Sequence, residues 1–129
     1  KKEIINKPGP LDDSEWAEMQ KHSLWGWEIV KDHPELSERT KRAILEHHEE
    51  KTGKGYPHQR EWKDVDLYSK IVGISDIFNA LTTNRSYSKS RNPFEAFELM
   101  KDKIQHKFDL DLFKALVKIY GGQITDLKD

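Results

Sequence analysis

Apolar residues along this chain recur at helical spacing rather than in the alternation of a half-buried strand. Behind Ser37, a good helix cap, Thr40, Ala43, Ile44, His47 and His48 fall at i, i+3, i+4, i+7 and i+8. The spacing predicts a helix whose inward stripe is extended by the two histidines. A longer helix is predicted over 65–82, with Val65, Tyr68, Val72, Asp76 and Asn79 or Ala80 on one face. Upstream, Leu11-Asp12-Asp13-Ser14 offers capping side chains ahead of Trp16 and Met19. Gly26 marks a break between a helix ending near His22 and a second reaching Val30, and Pro34 stops the second. Asn92 and Pro93 open another helix, with Glu95 in the capping-box position and Phe94, Phe97 and Ile104 on its apolar face. Asp109 caps a last helix carrying Leu112, Phe113, Leu116 and Ile119, ended by Gly121-Gly122. Residues 1–10 read as an extended entry, 51–63 as a loop and 121–129 as a frayed tail. The expected fold is all-α: a single domain built as a bundle of roughly five or six helices.

Composition narrows this further. At 129 residues with 35% hydrophobic positions, the chain has material for one modest core. A net charge of -1 gives no global pull toward DNA, RNA or a membrane surface. No apolar run is long enough to span a bilayer and no signal-peptide pattern opens the chain, so a cytoplasmic protein is expected. With no cysteine, any metal is held by nitrogen and oxygen ligands.

Adjacent histidines ahead of Gly53-Lys54-Gly55-Tyr56-Pro57 are the main chemical signal. Neighbouring helical positions point about 100° apart, so the two rings suit two ions, or one ion and one substrate. His22, His47, His48 and Asp76 together suit a divalent transition metal, which activates water and stabilises charge on a phosphoryl centre. Arg85, Lys54 and Lys89 are candidate holders of phosphate oxygens, and Tyr56 a candidate base-stacking ring. Blander roles stand beside these. A lone histidine such as His22 is more often a surface or helix-end residue, and one of His47 and His48 is equally a core hydrogen-bonding ring while the other faces water. Asp76 is equally the partner of a buried Arg or Lys, Gly53 and Gly55 a simple turn, and Arg85 a cap on the long helix. His33, His58 and His106 are expected in solvent, and the four Trp residues as core or loop anchors.

These residues resemble a known family. His47-His48-Glu49 followed by Gly53-Lys54-Gly55-Tyr56-Pro57 is similar to the HHE…GxGYP signature of HD-GYP domains, bacterial HD-superfamily phosphodiesterases acting on cyclic di-GMP. Residues 5–11 resemble the family's NKPGxL segment, 19–22 its MxxH helix, and 74–82 with Arg85 and Tyr87 its DxFDALTxxRxY helix. The resemblance runs to about Leu116. It implies an HD-domain fold, with His22, His47, His48 and Asp76 as metal ligands, iron or manganese as the metal (zinc or nickel as alternatives), and Arg85 and Tyr56 on the substrate side. It also implies a cyclic dinucleotide substrate, cut to linear dinucleotide or GMP. Other signalling domains are possible partners through the Gly-Tyr-Pro loop.

Some positions depart from the pattern. Thr52 stands where the family has Asp before the first loop glycine, and Asn79 where it has the Asp of the FDA triplet. The basic residue usual at Ser88 moves to Lys89. The family's name-giving His-Asp pair lies upstream of the NKPG segment, where this chain begins. The catalytic set is therefore expected to be incomplete here, and the isolated chain inactive and self-associating through uncovered apolar surface. The alternative is a degenerate module that binds signalling partners or nucleotide without cutting.

Overall fold

The computed structural model describes residues 2–83 and 90–120. Every regular element among these is helical, with no strand among them. A single turn, α1 (Lys2–Ile5), leads into α2 (Asp13–Gln20), α3 (His22–Val30), α4 (Glu38–Glu46), α5 (Leu67–Thr82), α6 (Pro93–Lys103) and α7 (Leu110–Ile119). Short 3-10 turns at Trp62–Asp64 and Gln105–Lys107 finish two of the connections. The first turn corrects the expectation that residues 1–10 are extended throughout; the non-helical stretch runs over 6–12.

Local chemistry sets most of the starts. Asp12 and Glu15 close a reciprocal capping box on α2, and Asn92 and Glu95 do the same on α6. Ser37 accepts from the Thr40 amide at 3.1 Å, and Asp66 from the Tyr68 amide at 2.9 Å. Asp109 sits at the start of α7 without a side-chain cap; its Oδ1 instead accepts the indole N–H of Trp62 at 2.8 Å.

The α2–α3 break lies at Lys21, not at Gly26, so His22 starts a helix rather than ending one. Gly26 lies inside α3, where a Cβ would stand 2.8 Å from Ile44 Cγ2. The glycine permits a close crossing of α3 on α4.

The helix faces differ from the predicted stripes for a shared reason. α4 packs against both α3 and α5, and α5 packs against α4, α6 and α7. A helix covered on two sides has no single inward stripe. On α4 the buried residues are Lys41, Ala43, Leu45 and Glu46, while Thr40 is exposed and His47 and His48 are half-buried. On α5 they are Ser69, Ile74 and Phe78, whereas Tyr68 and Val72 are exposed. Asp76 is thus half-buried, and no burial penalty forces a partner on it. Phe94 and Ile119, expected inside, project beyond the core; Ala96, Met100 and Val117 fill it. The main cluster joins Ile74, Phe78, Ala96, Met100, Phe108, Phe113 and Val117 across α5, α6 and α7. Truncating fully buried Met100 to Ala would cost about 2–5 kcal/mol.

Candidate metal centre

α3, α4 and α5 each deliver chemistry to one place. Gly26 lets α3 approach α4, which brings His22 across to the end of α4. Gly73 does the same for α5: a Cβ there would stand 2.6 Å from the His47 carbonyl oxygen. That close approach sets Asp76, one turn further along α5, beside His48.

The three imidazoles converge. Nε2 of His22 lies 3.0 Å from Nε2 of His48 and 3.4 Å from Nε2 of His47. One ligand nitrogen or oxygen from each of the three fits within 4.8 Å of the others. The opposite ring nitrogens are committed. His22 Nδ1 donates to the Met19 carbonyl at 2.7 Å, and His47 Nδ1 meets the Ala43 and Ile44 carbonyls at 3.1 and 2.9 Å. A carbonyl only accepts, so each of these rings, when neutral, carries its lone pair on Nε2. Two bare nitrogens facing each other repel unless something positive lies between them. One Nε2–H from His48 can satisfy His22 but not both. Nitrogens around one tetrahedral ion, each about 2.0–2.1 Å from it, stand roughly 3.3 Å apart. The donor set therefore fits a divalent first-row ion, with backbone carbonyls fixing the ring orientations.

Burial pushes the pKa of His47 down. Burial, then the neighbouring His47 and His22 rings, pushes His48 down to about 3. Both are neutral imidazoles at pH 7, the form that binds metal. Asp76 reaches the cluster through His48, its Oδ2 4.0 Å from Nε2, and its side chain is 42% exposed. With His48 neutral this is not an ion pair. It is a free carboxylate at the rim of the donor set.

The loop after His48 is built on its own backbone. Gly53 takes φ +70°, and a Cβ on Gly55 would collide with the His48 carbonyl and the Glu50 amide. The Tyr56 amide donates to the His48 carbonyl at 3.0 Å. Buried Glu49 accepts from the amides of His58 and Arg60, both at 2.8 Å, which folds the chain back under the loop. The Tyr56 ring then lies on His48, centroids 4.6 Å apart at 24°. Burial, then Asp76 and Glu50, raise the Tyr56 hydroxyl to about 12, so it remains a protonated donor. Behind this, buried Glu46 holds Arg42 at 3.2 Å and accepts from Ser69 at 3.4 Å. Arg60 Nε lies 3.2 Å from Glu46 Oε1, but at an angle that leaves its N–H without a hydrogen bond.

A cleft of about 290 Å³ opens beside the imidazoles, running from His47, His48, Tyr56 and Asp76 to Trp62, Lys70 and Lys107. Of the residues singled out for phosphate, Lys54 is exposed on the loop and outside the cleft lining, while Arg85 and Lys89 lie outside the described residues. His33, His58 and His106 are exposed, as expected. Trp16, expected as an anchor, is exposed and lines the cleft mouth. The sequence reading missed Gly73, Glu46 and the structural role of Glu49. Gly73 did carry a signal. A glycine inside a helix costs about 1 kcal/mol relative to alanine, and this one stands three residues before the anomalous Asp76.

The family model described as HD domain matches residues 2–112. The chain is 33% identical over 118 residues to the cyclic di-GMP phosphodiesterase PA4108 of Pseudomonas aeruginosa, covering 92% of this chain and 28% of that protein. It is 37% identical over 117 residues to the 3'3'-cGAMP-specific phosphodiesterase 2 of Vibrio cholerae, covering 89% and 22%. Among solved structures, Bd1817, a HDG"Y"P protein from Bdellovibrio bacteriovorus, superposes with a TM-score of 0.72 at 25% identity, covering 92% of this chain and 37% of that one. The chain thus spans about a quarter of the length of these two curated relatives.

Proposed function

The chain belongs to the HD domain family, in its HD-GYP form, and on that premise we propose that it is the metal-dependent phosphodiesterase module for a cyclic dinucleotide. The relatives act on cyclic di-GMP or 3'3'-cGAMP, and cyclic di-GMP is the substrate to test first. The observation that carries this reading is the convergence of the Nε2 atoms of His22 and His47, 3.4 Å apart, with His48 closing the set.

In this reading His22, His47 and His48 hold a divalent ion, iron or manganese first, and Asp76 adds a carboxylate from α5. Such an ion would supply Lewis acidity to a phosphoryl oxygen and would lower the pKa of water, so that hydroxide is available as the nucleophile near neutral pH. The protein's own groups do the rest. The carbonyls of Met19, Ala43 and Ile44 hold two rings in the tautomer that presents Nε2. Tyr56, protonated and stacked on His48, offers its hydroxyl to the substrate side. Arg85, Lys89 and Lys54 are proposed to hold phosphate oxygens.

No helix among the described residues is long and apolar enough to cross a membrane. A cytoplasmic location is proposed with the cyclic dinucleotide substrate. Loading the protein with Mn²⁺ or Fe²⁺ and following cyclic di-GMP by chromatography tests the reading. Linear dinucleotide or GMP appearing in the wild type, and lost with His47→Ala, supports it and overturns the expectation that the isolated chain is inactive. Tight nucleotide binding without turnover indicates the non-catalytic module instead, and a protein that binds neither metal nor nucleotide sinks both.

A further inference from the structure

Two tryptophans line the cleft, in opposite states. Trp62 is committed: its N–H goes to Asp109, and Lys70 Nζ covers its ring 4.6 Å from the centroid. Trp16 is 49% exposed, and its indole N–H has no hydrogen-bond partner among the described residues. It meets Tyr56 at right angles, centroids 6.2 Å apart with an interplanar angle of 82°. Tyr56 is the loop's obvious stacking ring, yet one of its faces is already taken by His48. A large aromatic left half in water at a cleft mouth is an expensive arrangement for the free protein and a ready surface for a flat ligand.

We propose that Trp16 is the nucleobase platform of this cleft. One base of the dinucleotide stacks on the indole while the adjoining phosphodiester lies over His22, His47 and His48. The chain of contacts supports the placement. Tyr56 touches Trp16 on one side and lies on His48 on the other, so the indole stands one ring beyond the donors. A base stands one sugar beyond its phosphate, the same kind of step. Stacking is indifferent to which base is stacked, so Trp16 contributes affinity rather than a choice between guanine and adenine. This inference rests on the phosphodiesterase reading above.

The test is calorimetric titration of the Mn²⁺-loaded protein with a phosphorothioate analogue of cyclic di-GMP, which resists cleavage. Trp16→Leu keeps apolar bulk and removes the π face; Trp16→Phe keeps a smaller one. We expect Leu to weaken binding on the order of 10- to 100-fold and Phe to recover most of it, with bound manganese unchanged. Equal affinities for Leu and Phe make Trp16 a packing residue and overturn the proposal, as does a Leu variant that binds like wild type. If the wild type takes up manganese but never binds the analogue, the phosphodiesterase reading itself fails and Trp16 falls with it.

Discussion

Nε2 of His22 faces Nε2 of His47 at 3.4 Å, and each ring has already given its other nitrogen to a backbone carbonyl. Two neutral rings in this tautomer would face each other with lone pairs, and a cation between them would make the contact favourable. Removing either ring should therefore lower metal affinity at least 10–100-fold, the loss that even outer partners of a ligand produce. Elemental analysis of His22→Ala and His47→Ala after dialysis against a mild chelator measures this. Full stoichiometric metal in the His47→Ala, His48→Ala double variant would remove the site assignment.

Gly73→Ala forces either α5 or the end of α4 to move, because the obstacle is the His47 backbone rather than a flexible side chain. We expect a loss of about 1–3 kcal/mol in unfolding free energy, the usual range for overpacking. The displacement also shifts Asp76 relative to His48, so manganese affinity should fall more than in a stability-matched core variant such as Val117→Ala. Denaturant unfolding paired with metal titration separates the two effects.

Acid should destabilise the protein through His48. Folded, that ring takes a proton only near pH 3; unfolded, it does so near its ordinary 6.5. Between those values the unfolded chain binds more protons, so stability falls as pH is lowered through the window and levels off above 6.5. His47, also lowered by burial, adds in the same direction. Melting curves from pH 7 to 4.5 should show a shallower decline for His48→Gln than for wild type. Parallel curves would show that the ring titrates normally in the fold.

Helix ends were far easier to read from the sequence than helix faces. Asp12, Ser37 and Asn92 cap where their side chains predict, because a cap is decided within four residues. The inward faces of α4 and α5 depend on what packs on their second side, which spacing along one helix cannot encode. Gly26 shows the same limit: read locally it is a breaker, yet contact with Ile44 keeps it mid-helix. The imidazole cluster was legible because its residues belong to a specific motif. Its enforcement by Gly73, and the buried Glu46 beneath it, depend on contacts between elements distant in sequence.

Exposed apolar residues remain on α3 (Leu24, Trp25, Ile29) and on α5 (Leu67, Tyr68, Ile71, Val72). Burying such residues is worth about 25 cal/mol per Å², so we expect this polypeptide to associate with itself as concentration rises. Sedimentation velocity across a hundredfold dilution series checks it; a constant monomer value would count against association.

The stacking of Tyr56 on His48 places the Gly-Tyr-Pro segment against one of the three clustered imidazoles. Under the proposed function, a displacement of that segment would be felt at His48, so a substitution in the loop would alter metal affinity as well as nucleotide affinity.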